Sequence, residues 1–172
     1  QSIVSRRLDP LDHAVVSVTR FHSGFAHNVI PAKAELAGTA RSFRAEVQDQ
    51  IEQALADVAA GIAASHGVAA RVDYRRGYPA THNDASEAAR CAAVAGIVAG
   101  EARVTTTLRP SMGAEDFSFF AAQRPSCYAW LGAGPGAGGC TLHSPHFDFN
   151  DALLPVGIRY WTALVEQVLP VG

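Results

Sequence analysis

The sequence predicts an α/β protein whose first half is most of a β-α-β-β-α-β unit. Three observations point there. Two strand-like segments, 13–21 and 34–43, lie close together in the chain. The stretch 46–66 repeats apolar residues at helical spacing, and a third strand-like run follows at 68–75. Helix end, strand, strand, helix, strand is that unit without its first strand and most of its first helix, which are expected before Gln1.

Each element has its own signal. Residues 1–9 read as the end of a helix running into Pro10. His13 to Phe21 (HAVVSVTRF) is rich in Val and Thr, which suit a pleated surface. A loop with Gly24 and Pro31 follows. Ala34 to Phe43 (AELAGTARSF) alternates as a second strand, antiparallel to the first. Glu46 to His66 is the strongest helix: Val47, Ile51, Leu55, Val58 and Ile62 recur on one face, acids occupy the first turn, and Gly67 is placed as its stop. Val68 to Arg75 then reads as a third strand.

The turn formers from Gly77 to Asp84 (GYPATHND) mark a boundary between domains at 1–77 and 78–172. Asp84 can cap a helix over Ala85 to Ala99. Arg103 to Thr107 reads as a short strand, Glu115 to Gln123 as a short helix and Cys127 to Leu131 as a buried strand. Gly132 to Gly139 is a glycine-rich connection without the lysine and spacing of a phosphate-binding loop. Ala152 to Leu169 is a final amphipathic helix with Leu153, Val156, Tyr160, Leu164 and Val168 on one face.

Composition narrows the function. Of 172 residues, 48% are hydrophobic and 17% charged, the balance of a globular domain. A net charge of -2 gives no reason to expect nucleic acid or an anionic membrane as partner. The longest small and apolar run, Ala92 to Gly100, is too short to span a bilayer, and no signal peptide is visible. Three cysteines, Cys91, Cys127 and Cys140, suggest reduced thiols in a cytoplasmic protein, with Cys91 buried on a helix and Cys127 in a strand. The chain opens on Gln1 and its only methionine is Met112, a second hint of a missing N-terminal segment.

Three motifs can carry chemistry. In Leu142 to Asp151 (LHSPHFDFND) two histidines and two aspartates crowd together after the glycine loop. Imidazole is the commonest metal ligand, and a nearby carboxylate can fix its tautomer. A histidine-rich surface loop with a helix cap at Asn150 or Asp151 is the alternative. Cys140 and His143 have the spacing of a zinc pair, but two further close ligands are wanting. In Ser111 to Phe120 (SMGAEDFSFF) a glycine turn precedes Glu115 and Asp116, which either cap a helix or leave free N–H groups for an anion. Asn28, in FAHNVIP, and Arg41, in GTARSF, stand at neighbouring strands, where a planar guanidinium and an amide can grip a carboxylate. The alternative is a turn asparagine and a solvated arginine. His22, His27, His66 and His82 read as loop or surface residues.

Together, LDPLDHAVVSVTRFHSGFAHNVIPAKAELAGTARSF, RRGYPATHND, SMGAEDFSFF and LHSPHFDFND occur in the order and spacing of one family. The chain resembles the hippurate hydrolase and N-acyl-amino-acid amidohydrolase branch of the two-metal aminoacylase and carboxypeptidase family, over nearly its whole length. The resemblance implies an incomplete lid or dimerisation domain with a four-stranded antiparallel sheet at 1–77. The C-terminal part of the catalytic domain would follow at 78–172. It implies His143 as a metal ligand, Asn28 and Arg41 on the substrate carboxylate, often across a dimer, and Met112, Gly113 and Ala114 lining the substrate site. Glu115, His146 and Asp148 would support these groups or the fold.

In such enzymes two divalent ions (zinc, manganese or cobalt) acidify a water that attacks the amide. The other ligands are a cysteine, two histidines and a glutamate, with a neighbouring glutamate as base, and a lid histidine polarises the carbonyl. None is matched here, and Cys91, Cys127 and Cys140 do not match the ligand cysteine. The expectation is therefore part of an N-acyl amino acid amidohydrolase, inactive alone, partnered by its missing N-terminal segment and by a second copy through the lid. The alternative is a non-catalytic dimerisation or ligand-binding module.

Overall fold

A computed structural model describes residues 1–134 and 142–169. These divide into two compact units. One comprises Gln1–Ala80 with Ser111–Glu115, the other Thr81–Pro110 with the described residues from Asp116 onward.

The first unit opens with α1 (Ser2–Arg6), followed by β1 (Ala14–Ser23), β2 (Ala34–Ser42) and α2 (Ala45–Ser65). β1 and β2 form an antiparallel hairpin that runs from Ala14 opposite Ser42 to Ser23 opposite Ala34. The register shifts between Val18 and Arg20, leaving Thr19 as an extra residue on β1. Gly38 lies opposite Val18 at this bulge, where a side chain would overlap the Ser17 carbonyl, so the irregularity requires glycine.

α2 forms because its apolar residues return to one face. Val47, Ile51 and Ala54 are 2%, 0% and 4% exposed, and α2 packs on β2 and α1. In the last turn the buried residue is Ala63, whereas Ile62 is 58% exposed. Gly67 ends the helix in the left-handed region (φ +67°), donating its N–H to the Ala64 carbonyl at 3.2 Å. Ile51→Ala is expected to destabilise this unit by about 2–5 kcal/mol, the range for truncating a buried aliphatic side chain. Ile62→Ala should stay within about 0.5 kcal/mol. Denaturant unfolding of the two variants checks this.

The second unit contains α3 (Ala85–Ala99), α4 (Ser118–Ala121) and α5 (Leu154–Val168), with short 3-10 turns at Glu101–Arg103 and Asp151–Leu153. The Asp84 carboxylate caps α3, accepting from the N–H groups of Ser86 (2.9 Å) and Glu87 (3.1 Å). The Ser86 hydroxyl and the Glu87 amide hold its pKa below the usual carboxylate value. α3 packs on α5, and Val94 is the buried residue of α3. The side chain of Asn83 joins the 127–131 segment by accepting from the Tyr128 N–H (2.8 Å) and donating to the Tyr128 carbonyl (2.9 Å).

Several expectations are corrected. The four-stranded sheet is not found; among the described residues the sheet has two strands. Segments 68–75, 103–107 and 127–131 are not strands. Their composition suits a strand, but a strand exists only through a laddered neighbour, and these segments have none among the described residues. Segment 68–80 is instead tied along α2 by Arg76, whose guanidinium meets Asp49 at 2.7 Å and Glu52 at 2.5 Å. The helix expected over Glu115 to Gln123 is one turn, α4, and Glu115 and Asp116 precede it. Cys91 and Cys127 are half-buried rather than buried, and Cys127 lies outside any ladder. Cys140 and most of the glycine loop lie outside the described residues. No helix among the described residues is long and apolar enough to cross a membrane.

Candidate carboxylate site and the His143 loop

Arg41 sits near the end of β2, opposite Val15, with its side chain exposed. Its Nη1 donates a 2.6 Å hydrogen bond to the Met112 carbonyl, 71 residues further on. This contact lies within the first unit, because Ser111–Glu115 packs there. Two elements singled out separately in the sequence, the arginine of GTARSF and the turn of SMGAEDFSFF, are thus brought together. The turn is shaped locally: the Gly113 N–H donates to Ser111 Oγ at 3.2 Å. Met112 and Glu115 are half-buried, Gly113 and Ala114 exposed. A cation held on one side by a neutral carbonyl keeps its other N–H groups for an anion.

Asn28 is not brought to Arg41. It lies in the turn between β1 and β2, next to the 3.5 Å hydrogen bond from the Val29 N–H to the Ala26 carbonyl. Arg41 is seven residues along β2 from Ala34, the pair nearest that loop. At strand rise this is roughly 23 Å. The two residues therefore occupy opposite ends of one hairpin.

In the second unit, His143 has φ +69° and is the one non-glycine described residue in the left-handed region. That conformation is costly without a structural reason. It precedes a Ser144-Pro145-His146-Phe147 turn, in which the Phe147 N–H donates to the Ser144 carbonyl (3.0 Å) and the His146 N–H to Ser144 Oγ (3.2 Å). Pro145 suits the second position of such a turn. Further along, the Asn150 side chain accepts from the Ala152 N–H and donates to the Ala133 carbonyl, each at 3.1 Å. The cap anticipated at Asn150 or Asp151 is therefore made by Asn150.

His143, His146 and Asp148 are all exposed. Among the described residues no three His, Cys, Asp or Glu side chains are grouped to hold a metal ion, so the donor set here does not by itself fit a metal centre. Among the described residues the cysteines do not remedy this. Burial, and next the neighbouring Cys91 thiol, push the Cys127 thiol up to about 11, so it stays protonated at neutral pH. Burial and a hydrogen bond with Cys91 likewise raise the Tyr160 pKa. The link from Arg41 to Met112 had no local sequence signal, since it joins residues 71 apart.

Residues 9–167 match the family model of peptidase family M20/M25/M40. The chain is 34% identical over 172 residues to N-acetylcysteine deacetylase of Bacillus subtilis, an alignment covering 98% of this chain and 43% of that protein. It is 31% identical over 169 residues to hippurate hydrolase of Campylobacter jejuni, again covering 98% and 43%. Among solved structures it resembles a dinuclear metal-binding peptidase of the M20 family from Bacillus subtilis, with a TM-score of 0.75 and 31% identity over 92% of this chain and 43% of that one. The chain thus spans less than half the length of these relatives.

Proposed function

This chain belongs to peptidase family M20/M25/M40, and from that premise we propose that it is part of a metal-dependent amidohydrolase cleaving the amide bond of N-acyl amino acids. The observation that carries this reading is Arg41: an exposed guanidinium, fixed by the Met112 carbonyl, offers its remaining donors to a substrate carboxylate. Relatives named for N-acetylcysteine and hippurate agree with such a substrate. Residues 1–77 serve as the lid and 78–172 as the returning part of the catalytic domain. Gly113 and Ala114 line the substrate site. His143 is one metal ligand, and the other ligands for two divalent ions (zinc, manganese or cobalt) come from outside this chain. Glu115, His146 and Asp148 support these groups.

Arg41→Lys keeps the charge and loses the planar fork. In the full-length protein KM for an N-acetyl amino acid should rise about tenfold, the scale of one bidentate contact. The C-terminally amidated analogue should respond little. Equal responses of both substrates would make Arg41 structural.

The opposite placement of Asn28 and Arg41 favours a site completed by two copies, with Asn28 of the partner subunit reaching the carboxylate that Arg41 holds. Under two-fold symmetry, mixing Asn28→Ala with Arg41→Ala subunits places both changes in one site and leaves the other intact. Random exchange should then restore about one quarter of wild-type sites. Activity equal to the mean of the two parents would show that each subunit's site is self-contained.

A second reading, a non-catalytic dimerisation or ligand-binding module, is favoured by the lack of a grouped ligand set among the described residues.

A further inference from the structure

We propose that Ser111 is a positioning residue that aims Arg41 at the substrate carboxylate through a single peptide plane. The inference rests on the carboxylate reading of Arg41 given above. The Met112 carbonyl and the Gly113 N–H are the two ends of one peptide unit, which is planar and rigid. Ser111 Oγ accepts from the Gly113 end at 3.2 Å, and Arg41 Nη1 donates to the Met112 end at 2.6 Å. Holding one end fixes the direction of the other. Ser111 therefore sets where the Met112 carbonyl points, and that carbonyl in turn sets the orientation of the guanidinium.

The chemistry of the fork gives this a purpose. Arg41 is exposed, so an untethered side chain would sample many rotamers and lose that freedom on binding. With Nη1 engaged by a neutral acceptor, the edge formed by Nε and Nη2 is left for a bidentate carboxylate. The acceptor carries no formal charge and leaves the attraction for the ligand intact.

The test uses the full-length enzyme with hippurate and with its C-terminal amide. Ser111→Ala should raise KM for hippurate about three- to tenfold, the scale of ordering one long side chain, with kcat within about twofold. The amide should be unaffected, and Ser111→Thr, which retains the acceptor oxygen, should restore KM. A merely structural serine would alter both substrates alike. If Arg41→Lys weakens hippurate selectively while Ser111→Ala leaves its KM unchanged, the positioning role is wrong and the carboxylate reading stands. If Arg41→Lys itself shows no preference between the two substrates, the carboxylate reading has failed and this inference falls with it.

Discussion

Changing His143 to alanine in the full-length protein should remove about one equivalent of bound metal and nearly all amide hydrolysis. The segment LHSPHFDF places an exposed imidazole on a backbone in the left-handed region, immediately before a proline turn closed on Ser144. Such strain away from glycine persists where the surroundings hold the residue for a purpose. Loss of a direct ligand should exceed the 10- to 100-fold typical of a group that only orients a ligand. His146→Ala should therefore be milder and keep its metal. Elemental analysis and steady-state rates on both variants check the pair. Unchanged metal content and rate in the His143 variant would remove it from the ligand set.

The chain alone should be catalytically silent and self-associating. One candidate ligand cannot hold a catalytic ion against water, and no grouped ligand set exists among the described residues. At the same time apolar side chains stand uncovered: Val18 and Phe21 on β1 are 63% and 70% exposed, and Trp161 on α5 is 64% exposed. Along α5 the exposed residues Leu154, Ile158, Trp161 and Val165 recur at helical spacing as a second apolar stripe. A free strand edge and exposed apolar faces favour association. We expect light scattering to give a mass above the 18.1 kDa of one chain.

How much of this was legible from residues alone depended on range. α3 and its Asp84 cap were readable because a cap and a helical period are local signals. So was α2, where Val47 and Ile51 return to one face. The β1–β2 hairpin was readable because its strands are sequence neighbours. The 68–75 and 127–131 segments have strand composition without a ladder, since pairing depends on a neighbour that composition cannot supply. At the candidate site, Arg41 and the Met112 turn could each be named from sequence. Their contact could not, because it closes 71 residues of chain, and neither could the separation of Asn28 from Arg41, which follows from hairpin register.

We propose that this chain carries the carboxylate grip and a single metal ligand, with catalysis requiring groups from elsewhere. The most direct measurement is hippurate hydrolysis by the purified chain with added zinc or manganese, its mass followed in the same sample. No turnover and no stoichiometric metal are expected. A monodisperse 18.1 kDa monomer that hydrolyses hippurate with either metal would contradict it.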